Sequence, residues 1–142
     1  MAGLIIPFEG ETPKISPDAF FAPTAAIIGD VEIGSGTSIW FGCVLGAGVV
    51  IGHAALIHAC TITDGTFIGM RATVMDHAIV ETGAMVAGCA VVTPGKLVKS
   101  GQLWAGTPAR YARDPTGAER ANIGYLAEHY RELGASCRSA LG

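Results

Sequence analysis

Residues 51–92 read IGHAALIHACTITDGTFIGMRATVMDHAIVETGAMVAGCAVV, and large aliphatic residues return along them at a fixed step. Ile62, Ile68, Val74, Val80, Val86 and Val92 stand six residues apart, and Val98 continues the series. Counted backwards from Ile57, the same step meets Ile51, Leu45, Ile39, Ile33, Ile27, Phe21 and Ile15. The count slips by one residue between Ile57 and Ile62. Four residues after the large position comes a small or β-branched one: Ala19, Ala25, Val31, Thr37, Cys43, Val49, Ala55, Thr66, Ala72, Ala78, Ala84 and Ala90. A period of six fits neither the 3.6-residue helical turn nor the alternation of an ordinary strand. Self-similarity of this kind marks a solenoid.

Each hexad supplies a short strand and a turn, and three hexads close one triangular coil. Large side chains then stack inside while small ones fit the corners, with successive coils one strand spacing, about 4.8 Å, apart. The fifteen large positions predict about five coils. The fold class is therefore an all-β solenoid, a parallel β-helix of hexapeptide repeats followed by a C-terminal α-helix. Spacing leaves the hand of the coil open, and the general crossover rule favours right-handed connections.

The chain reads as a single domain. A lead-in covers 1–14, the β-helix 15–103, an exit turn 104–115, the helix 116–134 and a tail 135–142. Pro94, Gly95, Gly106 and Pro108 mark where the repeat dissolves into turns. Thr116 and Glu119 after Pro115 form a capping-box pattern. Ile123, Leu126, Tyr130 and Leu133 then recur at helical spacing over about 117–133, and Gly134 is the expected C-cap.

Composition narrows the function. Half the residues are hydrophobic but only 7% are aromatic, with 20 glycines, which suits a narrow repetitive core. Charged residues make up 15%, below the roughly 25% of ordinary domains. With a mean hydropathy of +0.45, this implies that part of the outer surface is buried by self-association. A net charge of −3 without a basic cluster argues against nucleic acid as a partner. No run approaches the roughly 20 apolar residues of a membrane span, and Met1–Pro7 lacks the pattern of a signal peptide. Cys43, Cys60, Cys89 and Cys137 show no CxxC pair, so a reduced cytoplasmic location is expected.

The candidate chemistry rests on four histidines: His53, His58, His77 and His129. His53 and His58 are five apart, which places them near adjacent corners, and subunits packed side by side would be needed to bring one of each onto an ion. On spacing alone, polar corner residues at a subunit contact are the favoured reading. His77 reads as an exposed turn residue and His129 as a residue of the terminal helix. Cys43, Cys60 and Cys89 read as small core thiols. No GxSxG elbow, P-loop or GxGxxG fingerprint is present.

Three longer stretches carry a resemblance. FAPTAAIIGDVEIGSGTSIWFGCVL (21–45) is similar to the N-terminal coils of the γ-class carbonic anhydrases and their bacterial relatives. VVIGHAALIHACTITDGTFIGMRATVMD (49–76) resembles the family's stretch with two metal histidines, and the spacing GHxxxxH followed by CTI is specific. AMVAGCAVVTPGK, AGTPAR and LAEHYRELG resemble the closing coil, exit turn and terminal helix. The resemblance implies a left-handed β-helix, a homotrimer, and metal sites between subunits. His53 and His58 would be metal ligands there, with zinc as the ion and iron or cobalt as alternatives. Carbon dioxide and bicarbonate would be the substrates. Relatives in carnitine and phenylacetate pathways mean that resemblance does not fix the reaction.

The departures are equally specific. The family's VL leads into an Arg and an Asp; here Gly46 and Gly48 occupy those places. A further segment of roughly thirty residues, carrying a Gln and the first metal histidine, has no counterpart. Three hexads before His58 stands Trp40, so an indole is expected where the family stacks a second imidazole. Three functions therefore stand: a carbonic anhydrase-like hydratase, weakened or inactive; a non-catalytic trimeric structural or interaction relative; and an acyl-CoA transferase or thioesterase with His58 or His77 as general base.

Overall fold

A computed structural model describes residues 3–29, 31–33, 37–123 and 125. Among them, eighteen strands of two to four residues build a left-handed parallel β-helix. Each strand is too short to stand alone, so the backbone is held by ladders to the coils before and after it. These ladders form three faces of six, seven and five strands, and about five complete coils.

The repeat read from the sequence is the register of those faces. On one, Ile5, Ile27, Leu45, Ile62, Val80 and Val98 lie in a single column. On the second the column is Ile15, Ile33, Ile51, Ile68, Val86 and Trp104. On the third it is Phe21, Ile39, Ile57, Val74 and Val92. From Ile27 to Val98 these side chains are at most 3% exposed, while Ile15, Phe21 and Trp104 close the ends partly buried. Burying one such aliphatic side chain stabilises by about 1.5–3 kcal/mol, and the stacked columns supply most of the large side chains of the core. The small residues fill the corners: Ala25, Cys43, Ala72, Ala78, Ala84 and Ala90 are fully buried.

Partners on adjacent coils are eighteen residues apart, as in Leu45 with Ile27, but seventeen apart where a coil contains the slip, as in Leu45 with Ile62. The corner 58–60 has one residue fewer than its neighbours. Several corners need a left-handed backbone, and Ala54, Ala59, Arg71, His77 and Cys89 adopt it with φ of 45–60°.

At the N-terminal end, Leu4–Ile6 adds a strand to Ala26–Ile28. At the other end, Leu103–Ala105 pairs with Arg110–Arg113 in the antiparallel sense, which ends the winding. The capping box forms as its sequence requires. The Thr116 N–H donates to Glu119 Oε2 at 2.7 Å, and the Glu119 N–H donates to Thr116 Oγ1 at 3.1 Å. Helix follows from 117. Glu119 also accepts both Arg113 guanidinium N–H groups, at 2.7 and 2.8 Å. That pairing, with the Thr116 N–H, holds the Glu119 carboxyl down at about 2. Leu126, His129, Tyr130, Leu133 and Gly134 lie outside the described residues.

Candidate functional site

The corner joining the five-stranded face to the six-stranded face concentrates the polar chemistry. Trp40 follows the strand Ser38–Ile39, and His58 follows Leu56–Ile57 one coil on. Register stacks the two residues: the Trp40 N–H donates to the Ile57 carbonyl at 2.7 Å, and the rings lie 6.1 Å apart and tilted by 37°. Phe20, in register with Ser38 on the coil beneath, brings its ring 5.2 Å from that of Trp40. Trp40 Nε1 is buried without a hydrogen-bond partner.

Above His58 the shortened corner changes the pairing. Ile57 lies against Val74, so the residue directly over His58 is Met75. Asp76, the next residue, belongs to a longer corner and reaches back. Its Oδ1 lies 2.5 Å from His58 Nδ1. An ionised carboxylate only accepts, so Nδ1 carries a proton, and in the neutral imidazole the lone pair is then on Nε2. Both side chains are a little under half exposed, 42% and 46%, which leaves the imidazole within reach of a solute.

His77 shares this edge, exposed, with its N–H donating to the Ala59 carbonyl at 2.8 Å. His53 does not share it. It stands, exposed, in the turn between Val49–Ile51 and Leu56–Ile57, on the preceding edge. The structure therefore separates His53 from His58 within one chain. It also reveals Asp76 as the partner that the histidine inventory missed. The signal was present, since Asp76 lies eighteen residues after His58, about one coil.

Fit to a zinc ion follows from these placements. A catalytic zinc takes three protein ligands, as nitrogen, thiolate or carboxylate, plus water. Among the described residues no three His, Cys, Asp or Glu side chains gather to hold an ion. The ring stacked on His58 is an indole, whose nitrogen is a donor only. The described residues of one chain do not make a zinc site.

The glycines at 46 and 48 are fixed by the backbone. A Cβ on Gly46 would run into Asp64 Oδ1, and would lie 3.0 Å from the Asp64 nitrogen and 3.2 Å from the Thr63 carbonyl carbon. Asp64 Oδ1 is already engaged, accepting the Ala47 N–H at 2.9 Å. Gly48 has φ of +68°, where side chains are strained. A side chain at 46 would crowd Asp64 and Thr63, whereas one at 48 would be opposed by the left-handed backbone alone.

Behind the same edge, Cys43 and Cys60 occupy adjacent coils, both essentially buried. Contact with Cys60 draws the Cys43 thiol down, while that contact and burial push Cys60 up. Cys89 differs from the expected core thiol. It is exposed at a left-handed corner position, φ 60°, one residue before the buried Ala90.

Fold and site together define a class: a hexapeptide-repeat β-helix carrying an imidazole–carboxylate pair on one edge. No family model matches the chain. It is 38% identical to gamma carbonic anhydrase 1, mitochondrial, of Arabidopsis thaliana over 160 aligned positions, covering 87% of the chain and 58% of the plant protein. The carnitine operon protein CaiE of Salmonella agona is 29% identical, with 94% of the chain and 83% of CaiE covered. A crystal structure of a hexapeptide transferase family protein from Anaplasma phagocytophilum aligns at a TM-score of 0.61 and 37% identity, over 94% of the chain and 97% of that protein. The chain belongs to the hexapeptide-repeat, left-handed β-helix superfamily that includes γ-carbonic-anhydrase-like members.

The chain spans about three-fifths of the length of the plant relative. Its aligned part, 87% of 142 residues or about 124, is set against 160 positions, so about 36 positions have no residue here. That is two coils of eighteen.

Proposed function

We propose that the chain is an acyl-group-transfer protein of the hexapeptide-repeat kind, with His58 as general base. The observation that carries this reading is the 2.5 Å contact between His58 Nδ1 and Asp76 Oδ1 on an accessible edge. Asp76 fixes the tautomer and stabilises the imidazolium that forms when Nε2 accepts a proton. An acceptor amine or hydroxyl gives up that proton as it attacks the carbonyl of a thioester such as acyl-CoA. The thiolate leaves and takes the proton back from the imidazolium. The similarity to a hexapeptide transferase family protein at 37% identity supports the same reading. Chromatographic detection of free CoA from acetyl-CoA, with a panel of amines and hydroxyl acceptors, tests it. Turnover abolished by His58→Ala is expected; release no faster than buffer overturns it.

A second reading is favoured by the 38% identity to a gamma carbonic anhydrase and by the GHxxxxH motif. In it the protein is a homotrimer in which His53 of one subunit and His58 of the next approach one zinc, iron or cobalt ion, with carbon dioxide as substrate. Two imidazoles hold such an ion less firmly than three, so the hydratase is weak. Stopped-flow hydration with each metal supplied tests it, and a rate equal to buffer alone ends it. Inactivity in both assays would leave a non-catalytic trimeric relative, a role supported by Gly46 and Gly48 standing where the family's charged pair would be. In each reading the thiols suit a reducing cytoplasm.

A further inference from the structure

We infer that Cys43 and Cys60 form a redox modification site, a dithiol that closes to a disulfide bridging two neighbouring coils. Their carbonyls and flanking amides belong to one corner ladder. The Ala26 N–H donates to the Cys43 carbonyl at 2.9 Å, the Val44 N–H to the Cys60 carbonyl at 3.1 Å, and the Thr61 N–H to the Ala78 carbonyl at 3.0 Å. Cys43 thus sits directly under Cys60, with Ala25 below and Ala78 above. Coils are spaced by about 4.8 Å, and a disulfide spans Cα separations of about 4.4–6.8 Å. Both side chains turn into the same buried column, 0% and 2% exposed. The Cys43 Sγ hydrogen bond to the Ile57 carbonyl is long, 3.4 Å, so closing the bridge breaks little. The exposed Phe41 and Gly42 form the corner just outside, a short path for a small oxidant.

Hydrogen peroxide, as the smallest hydroperoxide, supplies the oxidation. The Cys43 sulfur attacks one oxygen, the O–O bond breaks, hydroxide leaves and a sulfenic acid forms. The Cys60 sulfur attacks Cys43 Sγ, the S–O bond breaks and a second hydroxide leaves. The two thiol protons turn both hydroxides into water, and two electrons have passed from sulfur to oxygen. The new bond ties the coil of Trp40 to the coil of His58, three residues from the first ring and two from the second. A thiol reductant reverses it.

The test uses the full chain with Cys89→Ser and Cys137→Ser, so that the pair alone can react. Peroxide treatment, unfolding, alkylation and peptide mass mapping should give one Cys43–Cys60 linked species, lighter by two hydrogens and reopened by dithiothreitol. The oxidised protein should melt roughly 5–10 °C higher, because a loop of this length is closed. Adding Cys43→Ala, in a column where Ala25 and Ala78 already flank the pair, should remove both effects while keeping the fold. Two alkylatable thiols after peroxide, or a sulfinic acid on one cysteine without a bridge, overturns the inference.

Discussion

Replacing Gly46 by alanine tests whether the winding itself excludes a side chain there. The added methyl meets the Asp64 carboxylate first and the backbone of Thr63 and Asp64 next, at 3.0–3.2 Å. The carboxylate can swing away, but only by releasing the Ala47 N–H it accepts at 2.9 Å. That bond lies at an exposed corner, so its loss is worth about 1 kcal/mol. Backbone crowding adds about 1–3 kcal/mol, because a coil cannot shift without disturbing the coils stacked on it. The expected destabilisation is about 2–4 kcal/mol, or a fall in Tm of roughly 6–12 °C. Urea titration followed by circular dichroism measures it. A double-mutant cycle sharpens the attribution: Asp64→Ala should cost about 1 kcal/mol less in the Gly46→Ala background than alone. Gly48→Ala, strained only through its φ of +68°, should cost about 1 kcal/mol. Gly46→Ala within 0.5 kcal/mol of the parent protein, or zero coupling to Asp64, would refute the reasoning.

Ile57→Ala opens a cavity between Ile39 and Val74 in a fully buried column, and should cost about 3–4 kcal/mol in the same titration; a loss under 1 kcal/mol would contradict the stacking. Asp76→Asn should lower acyl-transfer turnover by roughly 10–1,000-fold with the melting temperature nearly unchanged, since it alters the partner of Nδ1 rather than the coil. The Glu119 carboxyl is held near 2 by Arg113 and Thr116, below its ordinary 4.5. A lowered carboxyl pKa adds stability above the unfolded value and loses it as pH falls through the folded one. Helix content at 117–123 should therefore fall between about pH 4.5 and pH 2, and Glu119→Gln should flatten that step in circular dichroism.

The columns were legible because one side-chain property, size, repeats at the interval of the backbone. Ile33, Ile51, Ile68 and Val86 announce themselves without reference to anything distant. The shortened corner at 58–60 was also visible, as the slip between Ile57 and Ile62, and Thr116 with Glu119 announced a local hydrogen-bond exchange. Trp40 beneath His58 followed from counting three hexads. Asp76 is not legible by residue type, because its role depends on a corner one residue longer than the one beneath it. Cys89 was misjudged because inward and outward corner positions differ by one residue, and Ala90 takes the inward one. The constraint on Gly46 lies in the approach of Asp64 from the next coil, a distance that composition and spacing do not carry.

Elemental analysis of the purified protein, loaded with zinc and then dialysed, bears most directly on His58 answering to Asp76 and Trp40 rather than to a metal. The expected result is zinc far below one ion per chain, with no more bound by the parent protein than by a His53→Ala, His58→Ala variant. One zinc per chain, retained through dialysis and lost in that variant, would contradict the account.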